Sequence, residues 1–331
     1  MNIADYYGKT ITYREALRLA LDEAMEKDER IIIIGEEVGR YGGAYAVSQG
    51  LYEKYGAKRV LDTPISEAAI IGTAIGAAMT GLRPVAELMY VDFVGIAMDQ
   101  IANQAAKIRY MFGGQIGVPM VLRTQGGPGR SAGAQHSQSL EAWFMHTPGL
   151  FVAMPATVSD AYQLLKEALQ FDDPVIFIEH KGLYTSKDIF EPDKALPFGK
   201  AAIVKEGSEL TIITYSGALR HCLAAAAELD KLAIDVEVID LRTLNPLDVD
   251  TFVASISKTG HALIVTEDSL TAGVSAEISA RAQEGAFDFL EEPIMRLTGE
   301  DIPIPVAPEL ELAATPKKAD IVKAVRKILR R

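Results

Sequence analysis

Only one cysteine, Cys222, occurs among the 331 residues. That excludes an internal disulfide and a cysteine cage for a metal, and it fits a reducing compartment. Long apolar runs are absent. Purely apolar stretches extend over a few residues, far short of the roughly 20 that a membrane helix needs. Positive charge is scarce: 33 Lys and Arg stand against 45 Asp and Glu, a formal net charge of −12. Such a chain repels phosphate backbones and anionic lipids, so neither nucleic acid nor membrane is expected as a partner. The opening MNIADYYGKT has no basic stretch leading into an apolar one, so no secretory signal is expected. A cytoplasmic location is the resulting expectation. Phosphate and metal signatures are missing too. GxxxxGK[ST] and HExxH do not occur, and the five histidines are scattered. The glycine-rich loop at 126–133 does not match the dinucleotide fingerprint GxGxxG, and no acidic residue follows it at a suitable distance.

What is present is a repeating alternation of strands and helices. Thr12 and Glu15 have capping-box spacing, and Ala16, Leu17, Ala20, Leu21 and Ala24 follow at helical period. Ile31 to Ile34 is a continuous β-branched run, the pattern of a strand buried on both faces. A short strand at 59–62 leads through Thr63 and Pro64 to a helix starting at Ser66 and rich in Ala and Gly. Strands are expected at 84–89, 120–124, 150–154 and 175–179. Helices are expected at 92 to about 109, near 137–144 and at 158–170. Residues 189–207 are rich in Pro, Gly and charge and read as a linker. The alternation then restarts, with strands at 210–215, 236–241, 262–266 and 294–297 and helices at 218–232, 249–257, 274–284 and 319–329. The pattern predicts an α/β chain of two doubly wound, parallel-sheet domains, 1–190 and 191–331.

Several longer stretches then make the chain recognisable. RVLDTPISEAAIIGTAIGAAMTGLRPVAELMYVDF, DQIANQAAKIRYMFGGQ, AQHSQSLEAWF and DDPVIFIEHKGLY occur in order, with GEEVGRYGGAY before them and LRTLNPLD after. Together they resemble the β-type subunit of the thiamine-diphosphate-dependent decarboxylating component of 2-oxo acid dehydrogenase complexes. The likeness covers nearly the whole chain and is strongest to the acetoin and pyruvate groups. It implies a transketolase-like pyrimidine-binding domain followed by a transketolase C-terminal domain. It also implies an α-type partner in an α2β2 heterotetramer. That partner would hold the diphosphate and magnesium through a GDG motif, and no GDG exists here. The acyl unit would pass to a lipoyl-bearing dihydrolipoyl acyltransferase core, with a small 2-oxo acid or acetoin as substrate.

The resemblance carries specific residues. It implies that Glu67, in DTPISE, hydrogen-bonds a ring nitrogen of the cofactor's aminopyrimidine and so promotes the imino form of its amine. Ile65, Met89 and Phe93 match positions lining that ring; an apolar sleeve suits a flat heteroaromatic group. His136, in AQHSQ, would assist proton transfer during acyl transfer, and imidazole suits that task near neutrality. Relatives bind potassium through backbone carbonyls, which maps onto Met120, Ala168, Leu169, Phe171 and Asp173. Here Phe171 replaces an aspartate of many relatives, and metal-free stabilisation of the loop is the competing reading. Glu284, Asp288, Glu291, Glu292, Glu300 and Asp301 form an acidic group that could meet a basic module of the acyltransferase. Two other functions stay open on the sequence: a stand-alone transketolase-like sugar-phosphate transferase, and a non-catalytic scaffold subunit.

Overall fold

The structure is a computed structural model describing residues 3–331. Two compact units emerge. One takes the chain up to Gly126 together with Trp143–Phe198, and the other takes Gly127–Ala142 together with Gly199–Arg331. The glycine-rich loop therefore belongs to the carboxy-terminal unit, although the strand before it belongs to the other.

In the first unit, β1 (Thr10–Thr12) runs into helix α1 (Tyr13–Lys27). The capping box forms: Glu15 Oε2 accepts the Thr12 backbone N–H at 2.7 Å, and Thr12 Oγ1 accepts that of Glu15 at 3.3 Å. There follow β2 (Ile31–Gly35), α2 (Leu51–Tyr55), β3 (Val60–Asp62), α3 (Glu67–Met79), β4 (Arg83–Leu88), α4 (Val94–Met98) and α5 (Ala106–Met111). The unit continues with β5 (Val121–Gly126), α6 (Glu141–Met145), β6 (Phe151–Ala153), α7 (Val158–Ala168), β7 (Val175–His180) and β8 (Lys187–Ile189). Its parallel strands lie in the order β6-β7-β5-β4-β2-β3. β1 and β8 form a separate antiparallel pair. Ile31 and Ile33 join the core beneath α1 and α7, while Ile32 and Ile34, also buried, point to the opposite face.

Two segments depart from expectation. The helix expected at 92–109 is not uniform. It opens with a 3-10 turn at Val91–Phe93, and a π-helical stretch, Asp99–Ala105, separates α4 from α5. The 189–207 stretch is more ordered than a linker. Phe198 N–H donates to Glu167 at 2.6 Å, and the Phe198 ring packs on Phe171 with centroids 4.9 Å apart. Further along, β9 (Ala202–Lys205) is a strand of the second unit. Its antiparallel pairing uses backbone groups, which composition does not report.

The second unit adds β10 (Leu210–Thr214), α8 (Ala218–Asp230), β11 (Val236–Asp240), β12 (Thr243–Asn245), α9 (Val249–Thr259) and β13 (Ala262–Ser269). It ends with α10 (Val274–Ala286), β14 (Met295–Gly299), α11 (Pro308–Ala313) and α12 (Lys318–Ile328). Its sheet has the order β14-β13-β10-β11-β9, parallel except for β9. β10 and β11 are buried at every residue. Cys222 lies inside α8, where burial pushes its thiol up to about 12 and leaves it a small apolar filler.

The first unit also buries an ionic network. Arg123 donates from Nε and Nη2 to the two oxygens of Glu179, at 2.7 and 2.8 Å, and from Nη1 to Glu87 at 2.7 Å. Tyr184 adds its hydroxyl to Glu179 at 2.6 Å. Register explains the convergence, because Glu87 lies opposite Arg123 across β4 and β5, and Glu179 sits on the next strand. Two carboxylates share one guanidinium; burial pushes Glu87 up and Arg123 opposes the rise. Replacing the cation strands two buried acids, so Arg123→Met should cost about 3–5 kcal/mol. A lowered urea midpoint checks this; an unchanged one would show the network to be dispensable.

Candidate active site

Glu67 opens α3, at the carboxyl ends of the parallel strands where ligands of such sheets gather. Ser66 is the N-cap residue but makes no side-chain cap, so the dipole of α3 meets the Glu67 carboxylate directly. The residue is buried, at 7% exposure, and among the described residues no group donates a hydrogen bond to its carboxylate. Neither of its oxygens is a buried unpartnered atom, so the carboxylate keeps access to water and is open to a ligand. Its charge reaches Glu36, at the end of β2: burial pushes the Glu36 carboxyl up and Glu67 raises it further. Glu36 is an acidic neighbour that the motif analysis did not single out.

The residues expected to line the ring sit in the same unit, on an open surface. Ile65 is 78% exposed, and Met89 and Phe93 are half-buried. Met89 follows β4 directly, and Phe93 ends the 3-10 turn after it. The edge of the Phe93 ring is set by Tyr90, with centroids 5.8 Å apart and planes at 84°. Lys181 lies over the other aromatic of this pair, 5.5 Å from the Tyr90 centroid. An acid at a helix head, in one unit with the apolar side chains Ile65, Met89 and Phe93, fits an aminopyrimidine ring, whose ring nitrogen could share a proton with the Glu67 carboxyl.

The oxygens considered for potassium already meet protein donors. Leu169 and Phe171 carbonyls accept from Arg83 Nη1 at 3.2 and 2.9 Å. The Ala168 carbonyl accepts from Phe171 N–H at 3.2 Å, and that of Met120 from Val175 N–H at 3.0 Å. The Asp173 carboxylate pairs with Arg109 at 3.1 Å. A second cation at the oxygens facing Arg83 would be repelled, which speaks for metal-free stabilisation of this loop. Among the described residues, no cluster of three or more His, Cys, Asp and Glu could hold a metal ion. Likewise, among these residues no helix is long and apolar enough to cross a membrane.

His136 belongs to the second unit and lies apart from the Glu67 surface in chain organisation. It ends a 3-10 turn, Ala134–His136, and the expected helix begins only at Glu141. Its N–H donates to the Gly133 carbonyl at 3.1 Å. The ends of the loop are tied where Gly127 N–H donates to the Gln138 carbonyl at 2.9 Å. Two acids that the sequence did not flag stand here, one on the loop and one just after it. Glu311, from α11, accepts the backbone N–H of Gly129 and that of Ser131, each at 2.8 Å, and the Ser131 hydroxyl at 3.2 Å. Burial would raise the Glu311 carboxyl, but these amides prevail and hold it below the usual range. At the other end, Glu141 accepts the Tyr215 hydroxyl at 2.9 Å. Burial, and then the charge of Asp268, push Glu141 up to about 8. Asp268 is itself raised by burial and accepts the Val274 N–H at 2.6 Å.

Residues Gly129 to Gly133 also spell GxSxG, a spacing that marks the nucleophile elbow of α/β-hydrolases. The context differs. β5 ends at Gly126 and no α-helix starts before Glu141, so the strand–turn–helix of an elbow is not formed. Ser131 gives its hydroxyl to a carboxylate, and this loop is not read as a hydrolase site. The acidic group of the second unit is partly neutralised: Glu292 pairs with Arg330, Glu284 approaches Arg281 at 3.7 Å, and Asp301 accepts from Thr271.

Two predictions follow from these acids and cations. The raised Glu141 keeps its proton in the folded chain and loses it on unfolding, so the folded state binds more protons between about 4.5 and about 8. That contribution is complete below the unfolded value and is lost as pH rises through about 8, with Asp268, Glu267 and Tyr215 facing the same carboxyl. Glu141→Gln should flatten the decline of stability over this window in thermal unfolding; an unaltered slope would refute the assignment. Arg83→Met should cost about 1–3 kcal/mol by leaving two carbonyls short of a donor. Exchange of potassium for sodium should leave the unfolding midpoint where it is, and a clear potassium-specific rise would contradict the reading.

Comparison with known proteins places these features in a family. Residues 9–187 match the model for the transketolase pyrimidine binding domain, and residues 199–321 that for the transketolase C-terminal domain. The chain is 46% identical over 323 residues to the pyruvate dehydrogenase E1 component subunit beta of Rhizobium meliloti, covering 96% of this chain and 70% of that one. It is 46% identical over 319 residues to the corresponding subunit of Rickettsia bellii, covering 96% and 98%. The mitochondrial human subunit is 44% identical over 325 residues, covering 96% and 90%. Among solved structures, a split-gene transketolase, described as an inactive beta4 tetramer, superposes with a TM-score of 0.79 at 22% identity, covering 97% and 98%. That likeness speaks for the fold alone. The chain thus belongs to the family of β subunits of the pyruvate dehydrogenase E1 component, built from a transketolase-type pyrimidine-binding domain and C-terminal domain.

Proposed function

We propose that this chain is the β-type half of a thiamine-diphosphate-dependent pyruvate dehydrogenase component, working with an α-type partner in an α2β2 assembly. The partner would hold magnesium and the diphosphate, and the acyl product would go to the lipoyl group of a dihydrolipoyl acyltransferase. The observation that carries this reading is Glu67: an acid only 7% exposed at the head of a helix, whose carboxylate has no protein donor among the described residues and stays open to a ligand. Pyruvate is favoured as substrate by the names of the relatives, with acetoin kept as the alternative.

Thiamine diphosphate, when bound, supplies the electron sink for decarboxylation of a 2-oxo acid. The task of Glu67 is to share a proton with the ring nitrogen of the pyrimidine. Ile65, Met89 and Phe93 offer the ring an apolar face. His136 would move a proton during transfer of the acyl group to the lipoyl sulfur, a task that suits an imidazole near neutrality. The sugar-phosphate transferase reading draws only on the fold, since the transketolase likeness is at 22% identity.

Co-expression with a GDG-bearing α-type chain tests the proposal. The assembled protein should bind thiamine diphosphate with magnesium and oxidise pyruvate in a dye-coupled assay, faster than acetoin or branched-chain 2-oxo acids. Full activity of the β chain alone would overturn it. Glu67→Gln should lower turnover by at least about 100-fold while assembly persists. His136→Ala should lower lipoyl acylation by about 100-fold or more and spare dye-coupled oxidation. Equal loss of both would contradict that division of labour.

A further inference from the structure

We infer that Glu311 is the positioning residue for His136, its carboxylate filling the anion nest of the glycine-rich loop. The inference rests on the role proposed above for His136.

The nest is a property of the loop backbone. Gly129 has φ +99° and Ser131 φ +51°, and these left-handed turns aim successive N–H groups to one side. In other proteins a concavity of this kind receives a phosphate or another anion. Here it receives the protein's own acid. Both Glu311 oxygens are engaged, one by Gly129 N–H and the other by the N–H and hydroxyl of Ser131. The side chain is 4% exposed, so water competes little for those donors. Ionised acceptors make the stronger hydrogen bonds, and the same amides, against burial, hold the Glu311 carboxyl below its usual range.

The loop transmits the constraint. Gly127 and Gln138 are tied to each other, so residues 128–137 form a closed arch. Glu311 pins one limb at 129 and 131, and His136 stands on the other limb, bonded back to Gly133. Gly133 lies against Val306, on the segment leading into α11. Beyond the arch, Glu141 is tethered by Tyr215. The His136 backbone is therefore bracketed by two anchored acids, of which Glu311 is the one bound to the arch itself. Replacing Glu311 by Gln turns one acceptor into an NH2 group facing an N–H and removes the charge.

The test uses the enzyme assembled with its α-type partner, a lipoylated acceptor domain, and trypsin, for which exposed Arg130 is a site within the arch. Glu311→Gln should slow lipoyl acylation about tenfold or more and quicken cleavage at Arg130 about tenfold, with dye-coupled oxidation altered less than about threefold. Added to His136→Ala, it should slow acylation no further, an outcome that a general loss of folding would not produce. Glu311→Asp keeps the charge at shorter reach and should fall between; it serves as the variant if Glu311→Gln does not assemble. Unchanged acylation, equal loss of both activities, or additive losses in the double variant would overturn the inference. Normal acylation by His136→Ala alone would instead overturn the role of His136, while quickened cleavage of Glu311→Gln would still report the clamp.

Discussion

Arg123, wholly buried between Glu179 and Glu87, ties three adjacent strands of the first unit at one level. The carboxyl end of β4 is held by that tie. Glu87 is the penultimate residue of β4, and Met89, Tyr90 and Phe93 leave the sheet just beyond it. A parallel sheet buried on both faces is otherwise held by nondirectional apolar packing. The forked guanidinium adds direction, fixing where the strand ends lie and so where Met89, Tyr90 and Phe93 leave the sheet. Such networks bring order at a desolvation cost and are ruinous when half removed.

Environment gives one residue type several different tasks in this protein. Glu67 is buried at a helix head with no donor among the described residues and is suited to take one from a ligand. Glu141, buried beside Asp268, keeps its proton toward alkaline pH. Glu311, equally hidden, meets two backbone amides and stays ionised. The difference lies in what each carboxylate meets: no donor among the described residues, another acid, or inward-turned N–H groups. Chemistry and loop geometry are thus set by the same side chain in three electrostatic settings.

Local signals forecast the regular elements well. The Thr12–Glu15 capping box, the four isoleucines of β2 and the strand–helix alternation all depend on neighbours in sequence, and the structure realises each of them. The misses share one cause. The π-helical stretch at Asp99–Ala105, the strand Ala202–Lys205 and the late start of α6 are backbone outcomes imposed by packing partners. The candidate site divides in the same way. Glu67, Ile65, Met89, Phe93 and His136 sit in long motifs and could be named, whereas Arg83 and Glu311 could not. Arg83 meets carbonyls 86 and 88 residues away, and Glu311 meets amides 180 and 182 residues away.

By itself, the sequence determined the alternation of elements, the two-part α/β architecture, the acidic character and the family, because periodicity, composition and motif order are written along the chain. Tertiary structure alone decided that the glycine-rich loop joins the carboxy-terminal unit, that its amides are filled by Glu311, and that Arg83 meets the Leu169 and Phe171 carbonyls. The physical reason is that hydrogen-bond satisfaction of buried groups is settled by proximity in space, and no local pattern encodes which distant residue will arrive.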